Sequence, residues 1–355
     1  MLATVRRLFV IGVLAAGLLS TGATTAPAAP PAPAVAPFSG PHPLFGAGCS
    51  QGTGDASSSS DGTTRGALTC SGEWDGRIQV FRTQGAVHAT KASPWIGQVL
   101  ATAWDDAARL FVLYRQDSRL EVGVVTDAGH FANVGTLSGS LPSYSEGALV
   151  ASNGRYWAVW SENVGTQSEL FQARSLRGTQ GRTRITTDPA QDLEPRLVYT
   201  GGRVGLAWTR YTARLSSADL WFARSTGGAW AAARMAAGGT YNDLPSLAGS
   251  GGAFYLSWSN DGRIQLRDNT SGSWRGRTFG VRGHLSRVSV SGGKVFLAWE
   301  TEEPGGTYLA QRDGSRWTGR RVLPPDVGLV DLTSGNGRAT LLTRSIAGVR
   351  TLTQG

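Results

Sequence analysis

The chain has 355 residues, and its 34 lysines and arginines against 25 aspartates and glutamates give a formal net charge of +9. Nearly all of the positive charge is arginine, since Lys91 and Lys294 are the only lysines. The arginines are scattered along the chain without a run of five or six. This pattern favours solvated surface edges and argues against a nucleic-acid-binding surface.

Residues 1–23 have the pattern of a secretory signal peptide. Arg6 and Arg7 precede an apolar run from Leu8 to Leu19, and small residues follow it. This apolar run is shorter than the about 20 residues that a transmembrane helix needs. A retained N-terminal membrane anchor is the alternative. Residues 24–37 are almost all Ala, Pro and Thr, a composition typical of an extended linker. We therefore expect an exported, soluble protein whose remaining residues, 38–355, form a single domain.

The two cysteines, Cys49 and Cys70, flank a Ser- and Gly-rich stretch. In an exported protein, two cysteines at this spacing predict one disulfide bond. A metal site is the alternative, but there is no CxxC spacing and no neighbouring histidine. The four histidines, His42, His88, His130 and His284, also lack the spacing of metal ligands. We expect neither a metal nor a cofactor.

A nine-residue pattern recurs along the chain. Its clearest copies are Gly201–Thr209, Gly251–Ser259 and Gly292–Glu300, in which a Gly-Gly pair leads into an apolar stretch that ends at a tryptophan. Aligning the chain on this pattern gives anchors 41 to 50 residues apart, at Cys70, Tyr114, Trp160, Trp208, Trp258, Trp299 and Thr343. The Gly-Gly pair supplies the positive φ angles of a two-residue hairpin turn. Each anchor stretch is thus predicted to be a strand that follows a tight hairpin.

Repeats of this length built from short strands are typical of the blades of a β-propeller. The anchors predict an all-β propeller of seven four-stranded blades, with six as the alternative. The last repeat ends without an outermost strand. We therefore expect a strand from residues 37–45 to complete the last blade and close the ring.

The repeat units resemble the sialidase-like (Asp-box) group of bacterial propellers. Two units carry Pro-x-Leu, an anchor tryptophan and a Gly-x-x-Trp turn that ends at Trp230 or Trp274, and Asp313–Trp317 is a degenerate relative of the Asp-box turn. The resemblance implies the propeller fold. It also implies a site with an arginine cluster, a tyrosine nucleophile activated by a glutamate, and an aspartate as acid/base. The expected Arg-Ile-Pro stretch is missing, so no catalytic residue is assigned, and the nearest arginine, Arg196, follows a proline.

Loops on one face of a propeller surround the mouth of its central channel. On that face we place a candidate ligand-binding set of carboxylates, aromatic side chains, an arginine and a histidine: Glu162, Asp192, Glu194, Arg210, Tyr211, Tyr241, Asp243, Asn260, Asp261, His284 and Glu300. The same loops also contain Tyr144, Glu146, Asn163 and Glu302. Paired carboxylates beside aromatic residues suit sugar binding or glycoside cleavage. Asp and Asn are also common in turns for conformational reasons alone.

Three functions follow from these patterns. The first is a monomeric, secreted, sialidase-like propeller that binds a ligand, most plausibly a glycan, on the channel face. The second is an enzyme, either an exo-sialidase-like glycoside hydrolase or a polysaccharide lyase, with its acid/base drawn from Asp192, Glu194, Asp243, Glu162 or Glu300. The third is an extracellular scaffold that binds a cell-surface protein. No phosphate-binding loop, dinucleotide fingerprint or Gly-x-Ser-x-Gly elbow occurs in the sequence.

Overall fold

A computed structural model describes residues 35–39, 42–45, 49, 53–70, 76–84, 87–105, 108–138, 141, 146–175, 182–212, 217–226, 229–234, 241–302 and 305–355. The predicted signal peptide and most of the predicted linker lie outside these residues. The described residues contain β-strands and no α-helix. The all-β prediction is therefore confirmed.

The strands follow one another as antiparallel meanders. Four sheets have four consecutive strands each. They are β2 (Gly54–Ser58), β3 (Thr64–Thr69), β4 (Arg77–Gln84) and β5 (Val87–Ile96); β6 (Gln98–Trp104), β7 (Leu110–Gln116), β8 (Arg119–Val125) and β9 (Phe131–Ser138); β10 (Gly147–Ser152), β11 (Arg155–Val164), β12 (Gln167–Arg174) and β13 (Thr183–Arg184); and β14 (Gln191–Thr200), β15 (Arg203–Tyr211), β16 (Ala218–Ser225) and β17 (Ala231–Arg234).

A seven-stranded sheet follows, composed of β18 (Asn242–Ser250), β19 (Ala253–Asn260), β20 (Arg263–Asp268), β21 (Arg275–Ser291), β22 (Lys294–Thr301), β23 (Thr307–Asp313) and β24 (Arg316–Leu323). The first part of β21 pairs with β20 and its second part pairs with β22. Counting β21 once for each partner divides this sheet into two four-stranded units. The number of blades, predicted as seven with six as the alternative, therefore depends on how β21 is divided.

The last sheet has the order β1 (His42–Phe45), β27 (Gly348–Thr353), β26 (Arg338–Ser345) and β25 (Gly328–Gly335). The N-terminal strand β1 pairs antiparallel with the C-terminal strand β27, and Phe38 forms a further bridge to Gln354. The prediction that residues 37–45 supply the missing strand is confirmed. Just before β1, Val35 is buried in a cluster with residues of the last two units, although it belongs to the predicted linker.

The predicted disulfide is also confirmed. Cys49, shortly after β1, is bonded to Cys70, at the end of β3. Both cysteines are buried in a cluster that contains residues of the first and last sheets. The bond therefore fixes the closing segment to the first sheet.

The anchors of the repeat lie on the second strand of each unit, except Cys70, which directly follows β3. Trp160, Trp208, Trp258 and Trp299 lie on β11, β15, β19 and β22, and all four are buried. The turns ahead of the clear copies have positive φ at both central residues, for example 55° at Gly201 and 75° at Gly202. This confirms the predicted hairpins. The Gly201 turn also packs on the next unit, because a Cβ there would lie 2.6 Å from the Cα of Gly252.

The turn tryptophans on which the resemblance was based pack between units. Trp230 contacts Trp157, Trp274 contacts Phe222 and Trp317 contacts Phe279, with ring centroids 5.0, 5.1 and 5.1 Å apart. Each tryptophan belongs to one unit and its partner to the preceding one. The Gly-x-x-Trp motif therefore has a packing role that needs no ligand to explain it.

Candidate functional site

The innermost strands enclose a central channel. Residues of β2, β6, β10, β14, β18, β21 and β25 line a cavity of about 430 Å³. Each of these strands contacts the next one around the ring, and β25 contacts β2, so the ring is closed. We call the end of the channel where the innermost strands begin the upper end. The predicted ligand-binding face lies at this end.

Five ionisable side chains, here called the channel cluster, interact electrostatically at the channel. Asp55, Arg196, Arg287 and Asp331 line the cavity, and Glu146 lies just before β10, near the upper end. Each comes from a different unit. Their charges affect one another, since Arg196 and Arg287 both act on the carboxyl groups of Asp55 and Glu146. Sequence reasoning singled out Glu146 and Arg196 but missed Asp55, Arg287 and Asp331.

The two arginines of the channel cluster use few of their hydrogen-bond donors. Arg196 Nη1 donates to the carbonyl oxygen of Pro195 at 2.8 Å, and Arg287 Nη1 donates to that of Ser286 at 3.1 Å. Arg287 Nε also lies 3.7 Å from Asp331 Oδ1. Among the described residues these guanidinium groups have no other hydrogen-bond acceptor. Burial, and then the like charge of Arg196, lower the pKa of Arg287.

The aspartates of the channel cluster join neighbouring units. Asp55 Oδ2 accepts hydrogen bonds from the backbone N–H and the hydroxyl of Thr102. Asp331 Oδ2 accepts the backbone N–H of Ala56 at 3.0 Å, and its Oδ1 accepts that of Leu332 at 2.8 Å. Burial and then the charge of Asp55 raise the pKa of Asp331 to about 8, although Arg287 opposes this shift. The channel therefore favours the protonated form of Asp331 more strongly than water does.

Glu146 lies near the upper end, just before β10. Its Oε2 atom is buried and has no hydrogen-bond partner in the part of the chain that the structure describes. Burial raises the pKa of Glu146, Arg196 lowers it, and Glu194 raises it. The buried Oε2 atom of Glu146 is thus an acceptor that feels the charge of Arg196 and has no hydrogen bond to a described residue. Tyr144, two residues earlier, lies outside the described residues.

A β-bulge just before each arginine sets the positions of Arg196 and Arg287. Glu194 and Leu285 have φ angles of 57° and 52°, and the pairing register shifts at these residues in β14 and β21. After the bulge, Arg196 pairs with Ala207 and Arg287 with Ala298, and each alanine precedes an anchor tryptophan. The two arginines are thus repeat equivalents. Aligning the first strands on the anchors would have identified Arg287.

Glu194 is the best-connected candidate at the upper end. Its carboxylate accepts hydrogen bonds from Thr209 Oγ1 at 2.6 Å, from Tyr211 Oη at 3.0 Å and from the backbone N–H of Leu244 at 2.8 Å. Tyr211 and Glu194 have the residue types of a sialidase nucleophile and its activator. Burial and then the charge of Glu194 raise the pKa of Tyr211, which disfavours the phenolate. We therefore interpret the contact between Tyr211 and Glu194 as a structural hydrogen bond and not as an activated nucleophile.

Four further candidates lie around the same mouth and remain accessible. The Tyr241 ring meets that of Tyr211 edge to face at 5.9 Å. Burial and then Glu194 raise the pKa of Asp243 to about 6, with Asp261 raising it further and His284 lowering it. His284 Nε2 lies 3.4 Å from Glu300 Oε2, and Glu300 Oε1 accepts the backbone N–H of Leu329 at 2.8 Å. The side chain of His284 is 53% exposed.

The other candidates are bound into the scaffold. Fully buried Asp192 accepts Trp208 Nε1 at 3.0 Å and two N–H groups of Arg210 at 2.7 and 3.0 Å. Buried Glu162 accepts Trp160 Nε1 at 3.1 Å and forms a 2.7 Å ion pair with Arg182.

The next unit repeats this arrangement with amides. There, Asn242 accepts both Trp258 Nε1, at 3.1 Å, and the side-chain amide of Asn260. In each case the acceptor fixes the anchor tryptophan, so these side chains are satisfied without a ligand. The two arginines that follow from the sequence differ in position. Arg210 forms an ion pair with Asp192, and Arg196 lines the channel.

No group of three or more His, Cys, Asp or Glu side chains in the described ranges is arranged to hold a metal ion. The same ranges contain no helix with the length and apolar character needed to cross a membrane.

The sequence matches no family model and no curated protein. Among solved structures, a catalytically inactive virginiamycin B lyase from Staphylococcus aureus with quinupristin is 11% identical, with a TM-score of 0.60, over 90% of this chain and 99% of that one. The polysaccharide lyase Uly1 is 10% identical, with a TM-score of 0.59, over 86% and 90%. A Penicillium chrysogenum alpha-L-arabinanase with arabinobiose is 10% identical, with a TM-score of 0.54, over 89% and 98%.

These similarities show the fold. They support the β-propeller and do not identify the sialidase family specifically. At such low identity the site must be interpreted from its own residues.

Proposed function

We propose that this protein binds an acidic carbohydrate in the upper part of its central channel. The observation that carries the proposal is the pair of arginines, Arg196 and Arg287, which line a cavity of about 430 Å³ and whose guanidinium groups use few of their donors on the residues that the structure describes. Planar guanidinium groups bind carboxylates and similar anions through paired hydrogen bonds. An anionic group of the ligand would also relieve the repulsion between the two arginines.

The rest of the channel suits the hydroxyl groups of a sugar. Glu146 offers a buried acceptor that has no partner among the described residues, and Asp331, whose raised pKa favours its protonated form, can offer a donor. At the mouth, Tyr241 and Asp243 provide an aromatic surface and a further carboxyl group. The cavity volume falls within the range of small-ligand sites.

Two further observations support the proposal. Two of the similar structures are named as a polysaccharide lyase and as an arabinanase with arabinobiose. The disulfide supports export to an oxidising compartment, where extracellular glycans occur.

Saturation-transfer difference NMR tests the proposal. We expect transfer to trigalacturonate and to sialyllactose, and much weaker transfer to neutral cellotriose. Arg196→Gln should abolish the difference. Among the described residues Arg196 donates only to its neighbouring carbonyl, so its replacement should leave the scaffold intact. Arg203→Gln, at an exposed hairpin on the lower end, is the matched control. Equal transfer to acidic and neutral sugars would overturn the proposal.

A second candidate function is a glycan-cleaving enzyme with Asp243 as its acid/base, and one observation favours it. A carboxyl group with a pKa near 6 can exchange a proton near neutral pH. New product resonances during a day of incubation would demonstrate cleavage. Asp243→Asn should then remove the products while Asp313→Asn, the same change at an exposed lower turn, keeps them. Intact sugars throughout would leave binding as the function.

A further inference from the structure

A groove runs along the outer rim between the units of β18–β21 and β21–β24. One stretch of it, about 250 Å³, is lined by Phe279, Tyr308 and Trp317, and an adjoining stretch of about 400 Å³ is lined by Arg275 and Arg312. Arg277 and Trp317 belong to both stretches, so the groove is continuous. It lies outside the channel, and nothing in the channel chemistry requires it.

The groove combines a cationic edge with an aromatic floor. Arg277 stacks over Phe279 and Trp317, with its guanidinium carbon 5.4 and 5.9 Å from the ring centroids. Arg275 and Arg277 are exposed and have no ion pair with any described residue. Because they are two residues apart on one strand, their side chains leave the same face about 7 Å from each other.

The repeat does not require these arginines. Arg275 and Arg277 pair with Asp268 and Leu266 of the preceding strand. In the previous unit, the corresponding partners on β17 are Ala231 and Ala233. That unit has the same strand order and packs its turn tryptophan in the same way. The scaffold therefore tolerates alanine at both positions, although the next unit also has an arginine, Arg320, at the position of Arg277.

Within the groove, the remaining charge does not cancel the arginines. Asp268 is committed to Arg312 at 2.8 Å and to the hydroxyl of Thr270. Gly319 keeps the floor open, since a Cβ there would lie 2.6 Å from the Tyr308 ring. The groove thus presents the exposed guanidinium groups of Arg275 and Arg277, which have no ion pair with a described residue, beside an aromatic surface.

We propose that this outer groove is a second, non-catalytic binding site for a linear anionic polysaccharide that carries carboxylate or sulfate groups. The arginines would bind the anionic groups and the aromatic rings would contact the apolar faces of the sugar rings. A nucleic acid shares the charge but is the weaker match. The disulfide indicates an oxidising compartment, and the arginines form no extended cluster.

The test compares binding of two model polyanions, heparin and the single-stranded oligonucleotide dT20, by isothermal titration at 0.1 M salt. We expect heparin to bind more tightly than dT20. In the double variant Arg275→Ala/Arg277→Ala the affinity for heparin should fall by about tenfold or more, because two paired-donor contacts are lost. The fold should persist, since alanines occupy the equivalent positions of the previous unit.

A charge-matched control removes two exposed arginines from lower hairpins, Arg203→Ala/Arg338→Ala. Its affinity should fall by less than about threefold, as expected for diffuse attraction at this ionic strength. Equal losses of heparin affinity in both variants would show that heparin responds only to the net charge of the protein, and would refute the proposal. Tighter binding of dT20 would assign the groove to nucleic acid and refute it as well. If the double variant fails to fold, the single Arg277→Gln change should still reduce heparin binding more than Arg203→Gln.

Discussion

The most informative substitution is at Asp192, because it separates a structural role from a role in ligand binding. Asp192→Ala removes three hydrogen bonds at once, one from Trp208 Nε1 and two from Arg210. Leaving the buried indole N–H unpaired costs about 1–3 kcal/mol. Arg210 keeps its 2.7 Å contact with half-exposed Asp188, so its loss is smaller, about 1–2 kcal/mol. Together these losses should lower the free energy of unfolding by about 2–5 kcal/mol.

The neighbouring unit supplies the matched variants. It has Asn242 and Asn260 where this unit has Asp192 and Arg210. Asp192→Asn alone leaves Arg210 without its main counter-charge, and Arg210→Asn alone leaves a buried carboxylate without its cation. The double variant restores the amide pair of the next unit. Its loss of stability should be smaller than the sum of the two single losses by at least about 1 kcal/mol.

Urea unfolding, analysed by linear extrapolation, measures these differences. An unchanged unfolding midpoint in Asp192→Ala would refute the structural role. Strictly additive single losses would show that Asp192 and Arg210 do not act as a pair. Either result would return both residues to the candidate ligand-binding set.

Three further predictions concern stability. Replacing Cys49 and Cys70 by serine should lower the free energy of unfolding by about 2–4 kcal/mol, seen as a lower melting temperature, because the bond closes a 21-residue separation; an unchanged melting temperature would contradict the ring-closure role. Because the fold raises the pKa of Asp331 to about 8, its contribution to stability is fully present below the ordinary pKa of about 4 and is lost progressively as the pH rises to about 8. The fall in stability from pH 4 to 8 should therefore be shallower in Asp331→Asn, and identical slopes would contradict this. Gly283→Ala should destabilise the protein, since its Cβ would lie 2.1 Å from a backbone carbonyl oxygen, whereas Gly280→Ala, with open space around it, should not; equal denaturation midpoints would refute the clash.

The sequence predicted the repeat and its closure well because both depend on local patterns. The Gly-Gly turns specify hairpins through positive φ, and the anchor tryptophans mark the buried second strand of each unit. Even the closing strand β1 was predictable, since the last repeat lacked a fourth strand. The division of β21 was not predictable, because it depends on how pairing continues through the strand.

The site was harder to predict than the fold. Loop position placed Glu194, Tyr211, Tyr241, Asp243 and His284 at one mouth, but it could not distinguish them from scaffold residues such as Asp192. That distinction depends on the tertiary partner, here the indole N–H of an anchor tryptophan. Asp55, Arg287 and Asp331 of the channel cluster were missed because they lie inside the innermost strands of three different units, whereas the candidates were chosen from loops.

The proposal that Arg196 and Arg287 bind an acidic sugar is tested most directly by comparing the binding of one sugar in a charged and in an uncharged form. We would measure the affinity of trigalacturonate and of its neutral methyl ester for the wild-type protein and for Arg196→Gln/Arg287→Gln by isothermal titration calorimetry. We expect the wild type to bind the acid at least about tenfold more tightly than the ester, and the double variant to bind both equally weakly. An unchanged preference for the acid in the double variant would show that the channel arginines do not bind the ligand.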